Sequence, residues 1–148
     1  MDFRFRGFSL IELMVVLVIA AILMGIAVPA YRQYVIRADR ADATSALLRM
    51  ASNQERFYIQ NNTYASAGQM ATAPPAGLGI SGTERGWYTL TIAARNGGLQ
   101  AGYTATATVD SAQNQKTDTQ CWTFTVDDRG TRTAQTNGGA DNTTTCWR

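Results

Sequence analysis

The chain has 148 residues, with 13 Lys and Arg against 11 Asp and Glu, a net charge of +2 and no histidine. One domain of ordinary size fits that length once the apolar N-terminal segment is set aside. The near-neutral balance gives no electrostatic case for a nucleic-acid or anionic-substrate function, and the missing histidine removes the commonest neutral-pH general base and zinc ligand.

Residues 1–7 form a short segment carrying Arg4 and Arg6. From Phe8 to Val28 the chain is almost wholly apolar, and Pro29 follows. At 1.5 Å per residue this run makes a helix of about 31 Å, enough to cross a bilayer's hydrocarbon core. Three plain readings are available: a secretory signal cut near Val28-Pro29-Ala30, a simple membrane anchor, or a buried core helix. The run is long for a signal, and Glu12 sits inside it. A carboxylate in mid-span costs about 2.5–3.5 kcal/mol, less near the interface, so Glu12 is a functional candidate. A domain this small cannot cover such a helix on every side.

Helix is expected to continue past Pro29 to about Asn61. Ala43, Leu47, Met50, Gln54 and Phe57 recur at spacings of four and three as one packing stripe, with Gln54 the polar exception. Arg37, Asp39, Arg40, Asp42, Arg49, Glu55 and Arg56 fall on other faces and read as an ordinary solvated surface. Asn61-Asn62 is a helix stop. Residues 63–83, with Pro74-Pro75, read as an irregular loop holding a short element.

Three stretches then alternate with period two. Tyr88, Leu90 and Ile92 lie opposite Trp87, Thr89 and Thr91. Tyr103, Ala105, Ala107 and Val109 lie opposite Thr104, Thr106 and Thr108. Trp122, Phe124 and Val126 lie opposite Cys121, Thr123 and Thr125. Asn96-Gly97-Gly98 and Asp127-Asp128-Arg129-Gly130 are turn sequences, the second leading to a short strand at residues 131–134. The expected fold is α+β: a helix over about 8–61 whose C-terminal half packs on an antiparallel sheet of about four strands.

The two cysteines, Cys121 and Cys146, are too few for a cysteine-only zinc site. They read as a disulfide or as two separate buried thiols, the disulfide being favoured if the chain is exported. No triad, phosphate loop or metal-ligand cluster is legible, so no enzyme activity, cofactor or metal is expected.

Gly7-Phe8-Ser9-Leu10-Ile11-Glu12 resembles the processing site of type IV pilins and, more distantly, pseudopilins. The match runs unbroken over six positions into the apolar helix and includes Pro29. The stretch Glu55-Arg56-Phe57-Tyr58-Ile59-Gln60-Asn61-Asn62-Thr63-Tyr64 is similar to the helix end of minor type IVa pilins. The resemblance implies a leader, residues 1–7, cut between Gly7 and Phe8 by a prepilin peptidase, with N-methylation of Phe8. It implies a transmembrane and filament-core helix at 8–29 and a periplasmic head at 30–148, with Cys121 and Cys146 bounding a disulfide region at 121–146. Glu12 would neutralise the amino terminus of a neighbouring subunit during assembly. One departure is visible: relatives often have glycine eight positions before the proline, where this chain has Ala21; its glycine is Gly25.

Flanking charge does not orient the span, because Arg4 and Arg6 precede it while Arg32, Arg37 and Arg40 follow. The resemblance places the leader in the cytoplasm and the C-terminus in the periplasm before assembly, and the chain in an extracellular pilus afterwards. The implied partners are other pilins, the prepilin peptidase, the inner membrane and the pilus assembly machinery. The implied roles are adhesion, twitching motility or DNA uptake. The alternatives are a type II secretion pseudopilin, most of which lack the cysteine pair, and a DNA-binding minor pilin. For the last, Arg85, Arg95, Arg129, Arg132 and Arg148 are candidate phosphate contacts. Removing Asp2, Arg4 and Arg6 with the leader leaves 11 basic and 10 acidic residues, a net of +1 that does not suggest strong counterion-release binding.

Overall fold

The computed structural model describes residues 9–147. The chain divides into two compact units, Met1–Val35 and Ile36–Arg148. Helix α1, Leu10–Asn61, runs through the boundary, so each unit contains part of it. The second unit adds β1 (Tyr88–Arg95), β2 (Gly98–Val109), β3 (Thr123–Asp127), β4 (Arg132–Gln135) and a closing turn of helix, α2 (Thr143–Cys146). The fold is α+β, a long helix with a four-stranded antiparallel sheet in the order β1-β2-β3-β4.

In the second unit, the stripe at spacings of three and four is the helical half of the core. Ala43, Ala46, Leu47, Met50 and Phe57 are buried together with Tyr88, Leu90, Ile92, Tyr103, Ala105, Ala107, Phe124 and Val126 from the sheet. Gln54 is fully buried within that stripe for a local reason. Its side-chain oxygen accepts from the Ala65 N–H at 2.7 Å, and its amide donates to the Ala65 carbonyl at 2.9 Å. The side chain thus satisfies both backbone groups of a buried residue that lies outside the helix and strand ladders. Asn62 ends the helix in the left-handed conformation, at φ 53°, which asparagine tolerates.

The alternation in β1 and β2 turns their apolar residues inward and their threonines outward, as the sequence indicates. A tight turn joins them, with Gly97 at φ 101° and Gly98 at φ 84°. The third repeat is shorter than the pattern implies. β3 begins at Thr123, so Cys121 and Trp122 lie outside the strand; Cys121 is fully buried and Trp122 only half-buried. The reason is the disulfide, which turns Cys121 inward to Cys146, while its N–H binds Asp118 Oδ1 at 3.2 Å.

The solvated-surface reading of the helix charges fails at three positions. Asp39 and Asp42 are only 3% and 8% exposed, and the Arg40 side chain is mostly buried against Asp118. Asp39 receives the Arg85 guanidinium, and Asp42 Oδ1 accepts the Arg85 backbone N–H at 3.3 Å. These carboxylates fasten the loop before β1 to the helix.

Candidate functional site

Within the first unit, residues 10–28 are helical and, apart from Glu12, carry no charge, and all but Ala20 are exposed. Leu10, Ile11, Val15, Val18, Ile22 and Ile26 are between 52% and 77% exposed. A soluble surface does not leave so large an apolar area in water, so this helix is built to lie against lipid or other chains. By length and composition it can cross a membrane. The helix starts cleanly: the Ser9 carbonyl accepts from the Leu13 N–H at 3.1 Å. Ser9 and Glu12 stand at the three-residue spacing typical of a helix start, a signal that sequence reading alone passed over.

Glu12 lies in the first turn of α1, where the helix dipole favours a negative charge. It is exposed, and among the described residues no ion pair engages it. Once the surrounding apolar face is buried, a carboxylate there must find a positive partner. Gly7 and Phe8, the candidate processing residues, lie outside the described residues.

Pro29 sits inside α1 without breaking it. Proline cannot donate to the carbonyl four residues back, and its ring crowds that carbonyl. The residue four back is Gly25, which has open space around it. Glycine and proline both disfavour helix, so intrinsic propensity opposes the helix at this turn.

In the second unit, Cys121 and Cys146 are joined, with an S–S distance of 2.01 Å and Cα atoms 5.7 Å apart. Trp147 beside them donates its indole N–H to the Thr133 carbonyl at 2.8 Å and packs edge-on against Phe124. The candidate phosphate-binding arginines are dispersed in role. Arg95 is half-buried and gives Nη1 to both carboxylate oxygens of Asp128 at 2.8 Å, so it is committed to structure and is not an exposed contact. Arg85 is exposed but engages Asp39, and Arg132 lies 5.3 Å from the centre of the Trp147 ring. Arg129 is exposed; Arg148 lies outside the described residues.

A family profile described as the type IV minor pilin ComP, DNA uptake sequence receptor, matches residues 29–125. A second, the prokaryotic N-terminal methylation motif, matches residues 2–28. The chain belongs to the type IV pilin family. That family is a structural one. A fimbrial protein of Neisseria meningitidis is 31% identical over 96 residues, covering 65% of this chain and 54% of the relative. The fimbrial protein EcpC of Eikenella corrodens is 35% identical over 101 residues, covering 68% and 61% respectively. The type II secretion system core protein G of Pectobacterium carotovorum is 37% identical over 67 residues, covering 45% of this chain and 43% of that protein. The matches thus span only about half the length of these relatives. A type IV pilin of Shewanella oneidensis, a solved structure, aligns over 66% of this chain and 89% of its own, at 22% identity and a TM-score of 0.45.

Proposed function

We propose that this chain is a subunit of a type IV pilus. Residues 8–29 hold it in the inner membrane as a single pass, with residues 30–148 as a periplasmic head whose 121–146 region is closed by the disulfide. A prepilin peptidase cuts between Gly7 and Phe8, Phe8 is N-methylated, and the chain then polymerises with other pilins through the same helix. The filament serves adhesion, twitching motility or DNA uptake. The observation that carries this reading is the exposed apolar helix with Glu12 as its single charge between Ser9 and Pro29. In a stack of such helices, Glu12 of one subunit pairs with the amino terminus of another, and leaving either charge unpaired is costly. The test is recovery of the protein in sheared surface filaments. Glu12→Ala should remain in the membrane fraction and be depleted from filaments at least ten-fold; normal incorporation of that variant refutes the assembly role.

The matched profile favours a second, compatible reading, in which the head is a receptor for DNA uptake. Of the candidate phosphate contacts among the described residues, Arg129 and Arg132 are the two that are exposed and pair with no carboxylate. A gel shift with the detergent-solubilised chain decides, since DNA that is not retarded at low salt removes this reading. The pseudopilin alternative shares the apolar helix, and the disulfide speaks against it.

A further inference from the structure

Immediately beyond Pro29, α1 presents Tyr31, Arg32 and Tyr34. Tyr31 is 69% exposed and Tyr34 is 65% exposed. Arg32 is exposed, and among the described residues it has no ion pair. Tyr31 and Tyr34 stand three apart and share one side of the helix.

A tyrosine ring with a free hydroxyl gains most in a layer that is apolar on one side and wet on the other. An arginine suits the same layer, because its stem packs along apolar surface while its head reaches a charge in water. Position along the helix agrees. Leu10 and Tyr31 are separated by about 32 Å of helix rise, close to the ~30 Å thickness of a hydrocarbon core. With Leu10 at one edge of the core, Tyr31 falls at the opposite edge and Tyr34 about 4.5 Å further out, among the headgroups. Glu12 then lies only about 3 Å inside its own edge, where a charge costs least.

We propose that Tyr31, Arg32 and Tyr34 form an interfacial anchor. The two rings lie in the headgroup layer at the end of the span away from the leader, and Arg32 pairs with the phosphate of an anionic phospholipid. The anchor fixes the depth of the helix, and these contacts must be released when the subunit leaves the membrane for a filament. The proposal rests on the reading that residues 8–29 occupy a membrane before assembly.

The test uses the full chain reconstituted in vesicles of phosphatidylcholine and phosphatidylglycerol, washed in alkali and floated. A chain that fails to float overturns the membrane reading and the anchor together. For a floating chain, Tyr34→Trp is compared with wild type in vesicles whose lipids are brominated either near the headgroup or near the chain end. The added indole emission should be quenched by the shallow bromines and not by the deep ones. Emission that escapes both, or that deep bromines quench more, overturns the anchor while leaving the span intact. In the same vesicles, energy transfer from the introduced indole should report phosphatidylglycerol enriched about five-fold over phosphatidylcholine, the factor equivalent to ~1 kcal/mol for one surface arginine. Arg32→Gln should abolish the enrichment without changing flotation. Equal transfer to both lipids in the chain that retains Arg32 removes the phosphate contact.

Discussion

Arg40 on α1 holds Asp118 by both ends: Nε lies 2.7 Å from Oδ2 and Nη2 lies 2.9 Å from Oδ1. The Asp118 side chain is 1% exposed, and it also accepts the backbone N–H groups of Gln120 and Cys121, each at 3.2 Å. One carboxylate therefore joins the helix to the segment that enters the disulfide and β3. Removing it strands a mostly buried guanidinium. Asp118→Ala should cost about 3–5 kcal/mol in urea unfolding of the head, whereas Arg40→Met with Asp118→Leu should recover most of that loss. A single variant as stable as wild type would show that the pair is not a fastening.

The disulfide closes a separation of 25 residues. In the chain-entropy account such a loop contributes about 3–4 kcal/mol. Cys121→Ser with Cys146→Ser should lower the urea midpoint accordingly. Loss of protection should concentrate in residues 119–147, a pattern readable by hydrogen exchange.

Gly102 has φ 150°, and a Cβ placed there would sit 2.4 Å from Asp128 Oδ1. Gly102→Ala should therefore push Asp128 away from Arg95 and destabilise the head by about 2–4 kcal/mol. If that contact is the cause, Asp128→Ala should cost less thermal stability in the Gly102→Ala background than in wild type; equal costs would point to backbone strain alone.

Tyr64 is pushed up to about 12 by burial first and then by the Glu55 carboxylate, to which its hydroxyl donates at 3.3 Å. Burial likewise raises Tyr88 and Tyr103. The sign follows: the folded state withholds the phenolate, so this stability is complete below the unfolded value of 10.0 and is lost as pH rises through about 12. Alkaline unfolding of the head should begin near pH 10, with phenolate absorbance appearing in step with loss of structure. Free titration of all six tyrosines at pH 10 in folded protein would contradict it.

The helix stripe, the three alternating strands and the glycine turns were legible because each depends on neighbours a few positions away. Asp39, Arg40 and Asp42 were misread as surface because their partners, Arg85 and Asp118, lie 46, 78 and 43 residues on. A signal was present: Asp39 and Asp42 stand four positions before Ala43 and Ala46 and so prolong the buried stripe. Arg95 was similarly counted among the candidate phosphate contacts, since nothing local reveals that Asp128, 33 residues away, receives it.

By itself the sequence determined the membrane-length helix, the lone Glu12 within it, the α+β order and the family resemblance. All of these are written in local periodicity, in length and in one contiguous motif. Only the tertiary structure decided which charges fasten the head and which remain free. Charge pairing depends on the distance between side chains in space, and that distance is set by how the helix and sheet pack, not by their separation along the chain.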